Sequence, residues 1–221
     1  MARLARVVAR GVAHHVTQRG NRRLQTFFCD EDYELYLKLM TEWCARWEVD
    51  VWAYCLMPNH VHLVVVPQDE QGLCRAVGEA HRRYTRHVNF REGWRGHLWQ
   101  GRFASFVMDN DHVYCAVRYV ELNPVRAGLV DSPGDYRWSS AGAHLAGADD
   151  SLVKVRPLLD EIGDWQEYLT QSEEEAELSA IRRHERTGRP LGSDTFIDNL
   201  EKLTGRFLRR KKRGPKGASK K

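Results

Sequence analysis

The sequence predicts an α+β fold, a ferredoxin-like/RRM-like plait: an antiparallel sheet of four to five strands with helices on one face, a helical C-terminal extension and a basic tail. Three observations predict it. Apolar spacing switches between strand and helix periods in the order strand, helix, strand, strand, helix, strand, helix over residues 11–122. Two strand–helix–strand halves in that order build a split plait. A hydrophobic fraction of 42%, with 10% aromatic residues, is enough for a packed core.

Each element has its own signal. Residues 11–18 form the first strand, closed by the turn-forming Arg19-Gly20-Asn21. Asp30 is placed to cap a helix over 31–47, where Tyr36, Met40, Trp43 and Trp47 recur at helical spacing and acidic residues fill the first turn. Residues 49–56 and 60–66 are two strands joined by Met57-Pro58-Asn59. Leu73, Val77, Ala80, Tyr84 and Val88 mark the second helix, and residues 97–107 are the last extended run. Asp109-Asn110-Asp111 offers caps for a third helix through about Leu122. Patterning weakens beyond Pro133-Gly134. Glu173-Glu174-Glu175 opens a short helix, and Ser193 or Asp194 caps another lined by Phe196, Ile197, Leu200 and Leu203. The second face of the sheet is left for a ligand.

The net charge of +4 conceals an uneven distribution. Residues 1–130 carry a net +3, residues 131–201 a net −9, and residues 202–221 a net +10 with no acidic group. A basic end behind an acidic segment points to a polyanionic partner. Several classes are excluded. No run approaches the ~18 apolar residues of a membrane span, so no membrane partner is expected. Five cysteines, odd in number and without CxxC spacing, read as reduced thiols of a cytoplasmic protein. Walker A and GxGxxG sequences are absent, so no nucleotide cofactor is expected.

The sharpest local feature is MPNHVHLVVV at 57–66. Side chains of a strand alternate, so His60 and His62 share a face about 7 Å apart along the chain. Two such imidazoles can ligate one divalent metal; the alternative is a polar pair on a solvated sheet face. A second feature, YVELNP at 119–124, sets Tyr119 and Asn123 one helical turn apart. For any single tyrosine the commoner outcome is a boundary residue with its hydroxyl in water. Pro124 biases Asn123 away from helical dihedrals, so the helix ends or kinks there.

Histidine–hydrophobic–histidine on a central strand, followed by a helical tyrosine with an amide four residues on, resembles the HUH single-tyrosine transposases. HHVTQRGNR, LMPNHVHLVV, GHLWQGRF and RYVELNPVRAGLV resemble the REP-associated tyrosine transposases in particular, over residues 10–140. RTGRPLGSDTF is similar to the C-terminal extension of many members. Insertion-sequence relatives usually carry Gln four after the tyrosine, whereas Asn123 matches the REP-associated branch.

The resemblance implies a transposase-like endonuclease and strand transferase acting on single-stranded DNA with hairpin structure, as a monomer or homodimer. It implies Tyr119 as the nucleophile that forms a 5′-phosphotyrosine, and His60, His62 and Asn123 as ligands of Mn2+ or Mg2+, the mixed donor set favouring Mn2+. It divides the chain into a transposase domain at 1–140, an acidic, mostly helical extension at 141–205 and a basic disordered tail at 206–221. The expected DNA contacts are Arg19, Asn21, Arg22 and Arg23 after the first strand, His97, Trp99, Gln100 and Arg102 on the last, and Arg118 and Arg126 flanking the tyrosine. In the tail they are Arg209, Arg210, Lys211, Lys212 and Arg213. Each taken alone is more often a solvated surface charge than a DNA ligand. Two other readings stand beside this one: a non-catalytic nucleic-acid-binding regulator of the same fold, and a His-x-His metal hydrolase working through water.

Overall fold

A computed structural model describes residues 5–172 and 174–210. Four strands, β1 (His14–Arg19), β2 (Val49–Met57), β3 (His60–Pro67) and β4 (Ala104–Val107), form one antiparallel sheet in the order β2-β3-β1-β4. The central strand β3 is an almost uninterrupted apolar run because both of its faces are covered. Val61, Leu63 and Val65 enter one core, Val64 and Val66 the other. The register between β2 and β3 shifts between Val51 and Ala53, which lets Val51 and Tyr54, three apart, reach the same core.

Helix α1 (Asp30–Arg46) and helix α2 (Gly72–Glu92) pack together on the first face. Cys29, not Asp30, is the N-cap of α1 and makes no side-chain cap bond. Asp32 does the local work instead, accepting from Phe28 N at 2.8 Å and from Arg91. The second face is open only in part. Helix α3 (Asn110–Glu121), capped by Asp109, packs across β2 and β3. The expectation of helices on one face is therefore corrected: α1 and α2 lie on one side, α3 and later helices on the other. The apolar stripe of α3, with Val113, Val117 and Val120 buried, must find cover, and Ala53, Cys55 and Val64 supply it.

After α3 the chain turns at Leu122 and enters α4 (Asn123–Arg126), with Pro124 in its first turn. Proline costs nothing there, since first-turn N–H groups have no helical acceptor. Four more helices follow β2's side of the molecule and then the second face: α5 (Ala141–Ala146), α6 (Arg156–Leu159), α7 (Trp165–Thr170) and α8 (Glu175–Thr187). The last is α9 (Asp194–Thr204), capped by Ser193. Residues 139 and 153 bridge to β2, and Leu191 bridges to Met108 beyond β4, so both sheet edges are paired.

The last extended run is shorter than expected. Only Ala104–Val107 joins the sheet, while Trp99 makes a single bridge to Gly20. Residues 206–210 are docked rather than loose. Leu208 is buried, Arg206 donates to the carbonyls of Ala5 and Arg6, and Arg209 pairs with Asp194, Asp198 and Glu201. The rest of the expected basic tail, with Lys211, Lys212 and Arg213, lies outside the described residues. Among the described residues no helix is long and apolar enough to cross a membrane.

Candidate nucleic-acid and metal site

The site lies on the second face, where β1 and β3 run side by side. Thr17 pairs with His62, and Arg19 with His60. Alternation turns His60, His62, His15 and Thr17 to the same side. The ring centroids of His60 and His62 are 5.0 Å apart, and those of His62 and Tyr119 are 5.6 Å apart. The structure thus brings together three of the four chemistry-bearing residues singled out in the sequence. Asn123 stands half-buried at the start of α4, one turn beyond Tyr119, and does not line the adjoining cavity.

That cavity holds about 670 Å³. His60, His62, Glu185, Thr17, Gln18 and Gln100 line it, and Arg19, Arg23, Arg102, Arg182 and Arg186 make it strongly cationic. The basic side has a local cause. Gly20 lies so close to Leu24 that a Cβ would sit 2.1 Å from its carbonyl oxygen, and the tight turn that follows holds Arg22 and Arg23 at positive φ. A cavity ringed by guanidinium groups fits a phosphodiester backbone.

Burial controls the protonation states here. It lowers His60 to about 4, helped by Arg19, and holds His62 well below its ordinary value, helped by His60 and His15. His15 is lowered to about 3 by burial. Neutral imidazoles keep a lone pair for a metal. His60 Nδ1 lies 2.6 Å from Asn59 Oδ1, which fixes the ring and leaves Nε2 free, the usual support for a ligating histidine. Burial, then the Glu185 charge, raises the Tyr119 phenol, while Arg126 and Arg182 oppose the rise.

The remaining expected contacts divide by location. Arg19, Arg23, Gln100 and Arg102 reach the cavity; Asn21, Arg22 and Arg210 are exposed elsewhere. Arg126 lies over the Tyr119 ring. Trp99 does not offer a stacking surface: it is 6% exposed and packed among Tyr36, Tyr84 and His81. His97 and Trp99 line a separate cavity beside α2. Arg118 is buried and turned towards α7, where it donates to Gln171 Oε1 at 2.7 Å and approaches Glu177 at 3.9 Å. Arg209 is committed to its three carboxylates.

Three site residues on α8, Arg182, Glu185 and Arg186, were not singled out in the sequence. Glu185 Oε1 lies 3.6 Å from His62 Nδ1, and burial pushes its carboxyl up to about 7. In RRHER they look like an ordinary charged helix face; the only available signal was the resemblance of the neighbouring RTGRPLGSDTF to a known extension. Glu121, two residues after Tyr119, is turned away from it into a buried network.

No curated protein matches the chain. Among solved structures it is similar to a REP-associated tyrosine transposase bound to a REP hairpin, with 21% identity, a TM-score of 0.54, and coverage of 68% of this chain and 90% of that one. It is also similar to a candidate transposase from Deinococcus radiodurans R1, with 19% identity, a TM-score of 0.38, and coverage of 54% and 96%. The first likeness shows a common fold. A family model described as IS200-like transposase matches residues 9–123, more than half of the chain and all of the span from β1 to Asn123. The chain belongs to the IS200-like transposase family.

Proposed function

We propose that this transposase is a metal-dependent, single-tyrosine endonuclease and strand transferase acting on single-stranded, hairpin-forming DNA, with its nucleophile and expected metal ligands within residues 1–140. The observation that carries the reading is Tyr119 standing 5.6 Å from His62 on a histidine face that opens into an arginine-lined cavity. The hairpin follows from the REP-associated motifs and from the hairpin-bound relative.

Tyr119 Oη attacks a backbone phosphorus. The Oη–P bond forms, the P–O3′ bond breaks, and the phenol proton leaves as the 3′-oxygen takes one up. The 5′-phosphotyrosine conserves the bond energy, so religation by a 3′-hydroxyl requires no nucleotide. Arg19, Arg23, Arg102, Arg182 and Arg186 hold the flanking phosphates and neutralise charge that builds on the reacting group. His60, His62 and Asn123 would hold a divalent ion, Mn2+ or Mg2+, and the two neutral imidazoles with one amide oxygen suit Mn2+ better. Bound there, the ion polarises the scissile phosphate.

The test is a denaturing gel with a hairpin oligonucleotide and Mn2+. Wild type is expected to form a covalent protein–DNA adduct, Tyr119→Phe none, and His60→Ala none while still binding the DNA. Tight binding without cleavage under any divalent ion would overturn the reading in favour of a regulator. Cleavage that survives Tyr119→Phe would overturn it in favour of water-based hydrolysis.

A further inference from the structure

Helix α8 sets one carboxylate against the histidine face of the sheet. Glu185 Oε1 is 3.6 Å from His62 Nδ1 and 3.8 Å from His15 Nδ1. The two rings are stacked 5.2 Å apart and joined from His15 Nε2 to His62 Nδ1 at 3.0 Å. His15 is fully buried and His62 is 3% exposed. Two of the atoms that face one another across this gap, His15 Nδ1 and Glu185 Oε1, are sealed from solvent and make no hydrogen bond. Leaving a buried polar atom unpaired costs about 1–3 kcal/mol. At 3.6 and 3.8 Å the carboxylate is too far for a direct hydrogen bond to either ring.

A cation in the gap answers both unmet groups and takes His62 Nδ1 as its third donor. An ion about 2.1 Å from each donor sets neighbouring donors roughly 3–3.5 Å apart. The donor atoms of His15, His62 and Glu185 lie within 4.8 Å of one another, so a small movement of the glutamate closes the set. Two imidazoles and a carboxylate are chosen by Mn2+, Fe2+ or Zn2+. We propose that His15, His62 and Glu185 form a divalent-metal site on the inner side of the cavity, with its carboxylate supplied by α8. His62 Nδ1 exchanges its bond to His15 for the ion. The site rests on the reading of His62 as a metal ligand and adds two ligands that this reading does not contain.

MnCl2 alone, titrated into the full chain with free Mn2+ followed by electron paramagnetic resonance, tests it. Glu185→Gln and, independently, His15→Gln are expected to weaken binding at least tenfold, with Glu185→Asp between them and wild type. A second measurement guards against misfolding. The metal-free Glu185→Gln protein should melt no lower than wild type, because an unpaired buried carboxylate has been removed, and it should lose the rise in Tm that Mn2+ gives wild type. Binding within twofold of wild type in both Gln variants, or a Mn2+-induced rise that persists in them, overturns the site. An absent Tyr119 adduct in a chain that binds Mn2+ through Glu185 overturns the strand-transfer reading alone. A normal adduct with unchanged binding in both Gln variants overturns this site alone.

Discussion

Arg126 lies over the ring of Tyr119, its guanidinium carbon 4.4 Å from the centroid, and the same side chain donates to the Tyr119 carbonyl. The two residues sit on α3 and α4, so the short turn through Leu122 is what folds the arginine back on the tyrosine. The contact fixes the ring and favours the phenolate, against burial and the Glu185 charge, which raise the phenol. A cation over a partly desolvated ring is worth about 1–2 kcal/mol, or roughly tenfold in rate. Arg126→Ala is expected to slow single-turnover adduct formation by about that factor and to move its alkaline limb to higher pH. Arg126→Lys keeps the charge without the planar fork and should fall between. Equal rates in all three proteins would remove Arg126 from the account of the nucleophile.

Stability should fall on mild acidification, and His81 is a main cause. Its ring is buried, lies 2.7 Å from Tyr36 Oη and stacks on Trp99. Burial lowers it from 6.5 to about 3. The unfolded chain therefore takes up a proton below pH 6.5 that the folded chain refuses. Its contribution is complete above pH 6.5 and is lost as pH falls towards 3, at about 1.4 kcal/mol per pH unit for one group. His14, lowered to about 4 by burial, adds to the same slope. Urea unfolding of His81→Gln between pH 4.5 and 6.5 should give a slope shallower by about one proton. A slope identical to wild type would mean that His81 charges in the folded state.

Glu121 ties α3 to the segment that follows it. Fully buried, it accepts from Ser140 Oγ at 2.5 Å, His144 Nδ1 at 2.7 Å and Trp165 Nε1 at 2.9 Å. A carboxylate can accept all three; an amide presents its nitrogen to one of the donors. Glu121→Gln should cost about 3 kcal/mol in chemical denaturation, and Trp165→Phe about 1 kcal/mol. A Glu121→Gln chain as stable as wild type would reduce the network to simple packing.

The sheet and its order were legible because β3 is apolar on both faces and the turns around it are marked by Gly20 and Pro58-Asn59. The facing of His60 and His62 followed from a period of two. His15 was not legible: in HHVT two adjacent histidines point to opposite faces, and alternation alone does not say which face is which. The direction of Arg118 was not legible for a related reason. Neighbours on a helix are about 100° apart, so standing beside Tyr119 in sequence turned Arg118 away from it, towards α7. Trp99 looked like a stacking residue because composition cannot distinguish a surface aromatic from one filling the α2 core. Glu185 comes from 123 residues beyond His62, on a helix whose charges resemble a solvated face.

The basic end of the chain can be weighed apart from the fold. Arg206 and Arg209 are held by partners within the chain, so a cut before them would damage α9 and its contacts. A cut after Arg210 removes Lys211, Lys212, Arg213, Lys216, Lys220 and Lys221 and no acidic group. Each phosphate contact on a single strand contributes about 0.7 to the slope of log K against log salt. If five of the six basic groups touch DNA, the slope of the chain ending at residue 210 is shallower by roughly 3.5. Affinity at low salt should fall with it, while adduct formation at saturating DNA should not change, since Tyr119 and both histidines remain. Filter binding of a hairpin oligonucleotide from low to moderate salt measures the slope, and an unchanged value would mean that these cations stay in solvent when DNA is bound.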